Sequence, residues 1–138
     1  MAVATSRVVP GVGIECVALR RVFQACADHF AALLGQGGPA ADAAAQELRA
    51  CAATPGRQVA ALALAETGED AGAIGWWAGN PEPDRALLGM LMIDPAHRGQ
   101  GLAREALEGV EVWLAGRGIR ALRTAFERRR LAVHPVVK

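Results

Sequence analysis

The stretch Ile93-Asp94-Pro95-Ala96-His97-Arg98-Gly99-Gln100-Gly101-Leu102-Ala103 places an arginine and two glycines between an apolar strand and a helix. Residues of these types in this order suit a phosphate-bearing ligand. Glycine lets the backbone come close to an anion, the N–H groups at a helix start point outward, and the helix dipole favours negative charge there. A nucleoside-triphosphate loop would need Gly-x-x-x-x-Gly-Lys-Ser/Thr, yet the only lysine is Lys138. A dinucleotide fingerprint would need Gly-x-Gly-x-x-Gly, and Arg104 stands at its last position. What remains is Arg-x-x-Gly-x-Ala, carried by Arg98, Gly101 and Ala103.

The elements around this loop follow from periodicity. Ala86 to Ile93 is apolar throughout, which predicts a central strand covered on both faces. Gly99 to Ala115 carries a stripe of Leu102, Ala103, Ala106, Leu107, Val110 and Leu114, the pattern of an amphipathic helix stopped by Gly116 and Gly118. Upstream, residues 1–10 read as a loose leader and Val12 to Leu19 as an edge strand. Helical spacing spans Arg20 to Leu34, and Pro39 opens a second helix to about Ala53. Arg57 to Ala65 and Ala71 to Ala78 read as strands joined by a hairpin loop. Ile119 to Phe126 reads as a further strand, and Arg128 to about Val133 as a short last helix. Trp76 and Trp77, adjacent on one strand, face opposite sides. One belongs to the core, and the other lines an acceptor pocket or a contact between two copies in a homodimer.

Strand, Asp-Pro turn, Arg98, Gly101, Ala103 and helix together resemble the acetyl-CoA signature of the GNAT acetyltransferase superfamily, Arg/Gln-x-x-Gly-x-Gly/Ala. The resemblance covers roughly Gly11 to Lys138. It implies an α/β fold: a GNAT-like mixed, mostly antiparallel central sheet flanked by helices, in the order β-α-α-β-β-β-α-β-α. The family's last two strands are missing from this reading, so residues 1–138 are taken as a single GNAT-like domain that is either cut short at its C-terminus, a short variant, or completed by strands from a partner chain.

The resemblance also implies a cosubstrate and a site. Acetyl-CoA would lay its pyrophosphate on the backbone of Arg98, Gly99, Gln100, Gly101, Leu102 and Ala103. Its pantetheine arm would pair with the main chain of Leu91, Met92 and Ile93, where one N–H would polarise the thioester carbonyl. Arg128 and Arg129 are candidates for the adenosine 3′-phosphate. Many relatives use a Glu near the start of the strand as base, but this chain reads Ala86-Leu87-Leu88 there. The nearest carboxylates are Glu82 and Asp84 in the preceding turn and Asp94 after the strand. His97 lies beside the phosphate loop and is read as a ligand-edge residue. The family's proton-donating Tyr has no counterpart, since the chain has no tyrosine; His134 stands in the matching segment. The catalytic candidates are therefore Asp84, Glu82 and His134.

The implied activity is transfer of an acetyl group to a primary amine of a small molecule or peptide by direct attack. The alternative is an acyl-CoA-binding module or sensor without efficient catalysis. The helices over Arg20 to Ala53 would wall the acceptor pocket, with Asp28, His29, Asp42 and Glu47 as polar handles. Composition excludes little: 138 residues, 52% apolar, 21% charged, net charge +1. No apolar run reaches the roughly 18 residues of a membrane span, and no signal peptide is read. Cys16, Cys26 and Cys51 form no metal pattern and read as free thiols in a reducing cytoplasm. The arginine-rich segment from Arg117 lacks interleaved aromatics, so no nucleic-acid partner is expected.

Overall fold

The computed structural model describes residues 3–8, 14–34, 39–80, 82–124 and 132–135. A six-stranded sheet runs in sequential order through β1 (Val3–Val8), β2 (Arg57–Leu64), β3 (Asp70–Ala78), β4 (Arg85–Ile93), β5 (Ala121–Thr124) and β6 (Ala132–Pro135). All neighbours are antiparallel except β4 and β5. A parallel pair needs a crossover rather than a hairpin, and α4 (Leu102–Ala115) supplies it. Helices α1 (Ile14–Ala25), α2 (Ala27–Leu34) and α3 (Ala43–Ala53) come between β1 and β2 in the chain. The mixed, mostly antiparallel α/β sheet flanked by helices is thus present.

Two apolar clusters sandwich this sheet. On one face Leu62, Ile74 and Leu88 pack with Leu102, Ala106, Val110 and Leu114, one residue from each turn of α4. On the other, Val59, Ala73 and Met92 pack with Leu19, Val22, Phe23 and Leu48 of α1 and α3. Each fully buried leucine contributes about 1.5–3 kcal/mol. Strand β4 enters both clusters, as its unbroken apolar run implied. Trp76 is the core member of the tryptophan pair, edge-on to Trp113 with ring centroids 5.5 Å apart. Among the described residues no helix is long and apolar enough to cross a membrane.

The two ends of the chain differ from the sequence reading. Val3–Val8, read as a leader, is strand β1, pairing with the edge of β2. Its strand character comes from a partner nearly sixty residues away, which local pattern does not carry. Of the strand expected over Val12 to Leu19, Ile14 to Leu19 is instead the first half of α1, and Val12 and Gly13 lie outside the described residues. Leu19, Val22, Phe23 and Cys26 are all buried at helical spacing, and an eight-residue window was too short to display that period. The single helix expected to Leu34 is interrupted at Cys26. At the other end, Ala132 and Val133 belong to β6, not to a last helix; Val133 pairs with Arg123 of β5. The remainder of that expected helix, Arg128 to Leu131, lies outside the described residues.

One irregularity in β4 shapes everything downstream. Met90 pairs with Gly75 and Leu88 with Trp76, leaving Gly89 as an extra residue, a β-bulge. Because side chains alternate with period two, one extra residue exchanges the faces of all that follow. Leu88 therefore packs under α4, while Met90 and Met92 turn to the α1/α3 face and Leu91 and Ile93 return to the α4 side.

Candidate active site

Past the bulge, β4 leaves β5. The two strands pair only from Arg85–Leu88 against Ala121–Thr124. Beyond Leu88, among the described residues, β4 has no ladder partner on that side. The splay opens a cleft of about 430 Å³, lined by Leu91, Met92, Ile93, His97, Arg98, Gly99, Gly101, Leu102, Ala103 and Asp28 of α2. Of the nine residues singled out for the cosubstrate, all but Gln100 line it; Gln100 is exposed next to it.

The loop is built locally. Asp94 Oδ1 accepts the Ala96 N–H at 2.9 Å and caps a short 3-10 turn, Pro95–His97, with proline at its start. The Asp94 N–H donates to the Ala71 carbonyl at 2.8 Å, anchoring the turn to β3. Asp94 is thereby a structural cap. Gly99 (φ +79°) and Gly101 (φ +78°) then lie in the left-handed region, where any other L-residue pays roughly 1–2 kcal/mol. Among the described residues, a Cβ on either would meet nothing within 4 Å, which leaves the space in front of both glycines open. Gly101 caps α4 without a side chain, and the first intrahelical bond is Glu105 N–H to the Gly101 carbonyl at 3.1 Å. The N–H groups of Leu102, Ala103 and Arg104 thus have no acceptor within the helix.

Arg98 is held by its neighbours. Its Nε donates to the Ile93 carbonyl at 2.8 Å, and Nη1 and Nη2 donate to Asp28 at 2.7 and 3.0 Å. The guanidinium therefore ties the end of β4 to α2 and closes one wall of the cleft. Asp28 raises its pKa further, chiefly through the hydrogen bond, so it stays cationic. His97 is largely buried on the same wall, with Nε2 3.5 Å from Glu69 Oε2.

Residues 20–135 match the model of the acetyltransferase (GNAT) family. The chain belongs to that family. GNAT enzymes take acetyl-CoA as acyl donor. No curated protein matches the sequence. Among solved structures, this GNAT chain is similar to an acetyltransferase from Thermus thermophilus, with 29% identity over 90% of this chain and 75% of that one, and a TM-score of 0.72. An aminoglycoside acetyltransferase from an uncultured soil metagenomic sample shares 16% identity over 90% and 79% of the two chains, with a TM-score of 0.59. An aminoglycoside 6′-N-acetyltransferase solved with coenzyme A shares 17% identity over 90% and 61%, with a TM-score of 0.62. These last two likenesses concern the fold.

The GNAT domain's catalytic candidates are not gathered at the cleft. Glu82 and Asp84 sit in the β3–β4 turn. At about 3.3 Å per residue, Asp84 is roughly 15 Å along the strand from Gly89 and roughly 30 Å from Ile93. The Glu82 carboxylate lies 3.5 Å from Arg85 and is exposed. The Asp84 carbonyl accepts the Arg120 N–H at 2.7 Å, holding the start of β5 beside the start of β4. His134 lies in β6 opposite Leu122; its side chain, like those of His29, Arg128 and Arg129, is outside the described residues.

A second space lies along β4 at the bulge, lined by the residues that precede Leu91. Gly89 and Met90 line a cavity of about 220 Å³ with Gly75, Trp77, Leu87, Glu47 and Arg57. A groove of about 320 Å³ shares Met90, Glu47 and Arg57 and extends to Phe23 and Phe30. Both tryptophans reach this cavity: Trp76 from the core, and Trp77 as the more exposed of the two. Arg57 Nη2 donates to both Glu47 oxygens, at 3.0 and 3.2 Å. Arg57 was not singled out from the sequence, and Glu47 was named only as a polar handle. One signal was present. Glu47 shares the inward stripe of α3 with Ala44, Leu48 and Cys51, where a carboxylate needs a partner.

Cys51 provides a check on this packing. Burial, then the Glu47 charge, pushes its thiol up to about 11. Below pH 9 the thiol is neutral in both folded and unfolded states. Above it the unfolded thiol ionises while the folded one keeps its proton, so stability falls as pH rises from about 9 to 11. With no tyrosine and one lysine in the chain, few other groups titrate there. Thermal midpoints measured across that range should decline, and Cys51→Ala should flatten part of the decline.

Proposed function

We propose that this GNAT acetyltransferase moves an acetyl group from acetyl-CoA to the primary amine of a small molecule or peptide, using the β4–α4 cleft for the cosubstrate. One observation carries the reading. Main chain at Leu91–Ile93 that, among the described residues, has no ladder partner on its β5 side, and a helix start whose first N–H groups have no intrahelical acceptor, reached through two left-handed glycines, open into the same space.

The residues fit the cosubstrate. The open volume before Gly99 and Gly101 is room that a Cβ would fill, and the α4 dipole favours an anion there by about 0.3–1 kcal/mol. The N–H groups from Gly99 to Ala103 hold the diphosphate. Arg98 adds fixed positive charge while its bonds to Asp28 and Ile93 keep the loop in place. Main-chain groups of Leu91, Met92 and Ile93 hold the amide-containing arm as an added strand would. A backbone N–H after the bulge faces the carbonyl to be attacked and stabilises the charge that develops there. Bound acetyl-CoA supplies a thioester whose C–S bond breaks as the amine nitrogen forms a C–N bond to the acetyl carbon, the amine proton passing to solvent and the released thiolate taking one up. Glu82 and Asp84, set back along β4, take no direct part in this assignment, and His134 remains the candidate proton donor for the thiolate.

Incubation of the protein with acetyl-CoA and a panel of primary amines, followed by release of free thiol and by mass of the product, tests the reading. Amine-dependent thiol release with a 42-dalton gain on the amine is expected from the mass of an acetyl group replacing hydrogen. Binding of acetyl-CoA without transfer to any amine would favour a binding module instead.

A further inference from the structure

Among the described residues, the cavity beside the Gly89 bulge contains one carboxylate and one guanidinium, Glu47 and Arg57, joined to each other; its other described walls, and those of the adjoining groove, carry no further charged side chain. We propose that the acceptor held there is an amino-acid-like zwitterion: a compact, apolar primary amine that also carries a carboxylate. Its ammonium meets Glu47 and its carboxylate meets Arg57. The proposal rests on the acetyltransferase reading above.

The pair has capacity for both contacts. Arg57 reaches Glu47 through Nη2 alone, which leaves the donors of Nη1 and Nε for a second carboxylate. A carboxylate has about four lone-pair positions, so Glu47 can accept an ammonium as well. Both side chains are partly withdrawn from solvent, 17% and 33% exposed, where an ion must be paired to be tolerated. The charge balance then selects the ligand. A simple ammonium gains from Glu47 but is opposed by Arg57 about 3 Å away. A polycation brings further charges for which the walls hold no second carboxylate. A zwitterion gains at both ends and leaves the cavity neutral. Its amine and carboxylate, one carbon apart, match two protein charges that sit side by side. Trp77, Leu87 and Met90 offer the apolar wall for its side chain.

The test compares wild-type kcat/KM, by thiol release with acetyl-CoA, for leucine and phenylalanine against isoamylamine, phenethylamine and spermidine. The amino acids are expected to exceed the carboxylate-free amines by at least tenfold. Arg57→Gln should bring that ratio towards one, and Arg57→Lys should restore part of it. Glu47→Gln should lower rates on amino acids at least tenfold. Acetyl-CoA titration of each variant reports whether its fold survives, since neither residue lines the cosubstrate cleft. A wild type that acetylates the carboxylate-free amines or spermidine as well as the amino acids overturns the inference. So does a wild type that binds acetyl-CoA and acetylates no amino acid. Both outcomes leave the acetyl-CoA site standing. A folded wild type that fails to bind acetyl-CoA brings down the parent reading and this one with it.

Discussion

Gly101→Trp is expected to weaken acetyl-CoA binding at least 100-fold while the protein stays folded. Two effects add. Gly101 sits at φ +78°, so a tryptophan there either bears roughly 1–2 kcal/mol of left-handed strain or relaxes and carries the helix start with it. Its side chain would also occupy the open volume in front of α4. A 100-fold loss corresponds to about 2.7 kcal/mol, within reach of strain plus exclusion. Gly68→Trp is the matched control. Gly68 has φ +73° and equally open surroundings, but it lies in the β2–β3 loop, outside the cleft. Calorimetric titration with acetyl-CoA should separate the two variants. Equal affinities would show that the loop does not hold the cosubstrate.

Deletion of Gly89 is expected to lower acetyl transfer at least 100-fold while leaving the core packing intact. Removing the extra residue leaves Leu88 opposite Trp76 and Met90 opposite Gly75, so every later residue of β4 keeps its partner and its face, and both apolar clusters keep their members. What is lost is the bulge, and with it the local bend and added twist that a bulge gives its strand at the point where β4 leaves β5. The thermal midpoint should stay within roughly 5 °C of wild type at a few degrees per kcal/mol, while thiol release with acetyl-CoA collapses. Gly89→Ala should be near neutral in both respects, because among the described residues a Cβ there meets nothing within 4 Å. A deletion variant that transfers acetyl groups like wild type would show that the bulge does not shape the cleft.

These two glycines also mark the division between what local sequence carries and what only packing reveals. Gly101 announced itself, because an arginine, a glycine pair and the start of an apolar stripe are all nearest neighbours in the chain. The hairpin strands and α4 were legible for the same reason, since their periods repeat within a few residues. Gly89 gave no such sign. A bulge is a property of pairing with β3, fifteen residues away, and the splay of β4 from β5 depends on a crossover helix. Strand β1 was hidden likewise, its pairing partner lying beyond three helices. The Glu47–Arg57 pair forms across the Pro55-Gly56 turn; only the carboxylate in the inward stripe of α3 hinted that a cation must approach. The residues read from the loop motif line one cleft, whereas the catalytic candidates chosen by nearness in sequence lie along the strand from it.

The most direct test of the cosubstrate site is calorimetric titration of the wild-type protein with acetyl-CoA beside S-acetyl-pantetheine, which keeps the thioester and amide arm but lacks the diphosphate. If the Arg98–Ala103 loop and the start of α4 hold that diphosphate, acetyl-CoA should bind at micromolar concentration and S-acetyl-pantetheine at least 100-fold more weakly. Equal affinity for both, or no binding of acetyl-CoA to the folded protein, would contradict it.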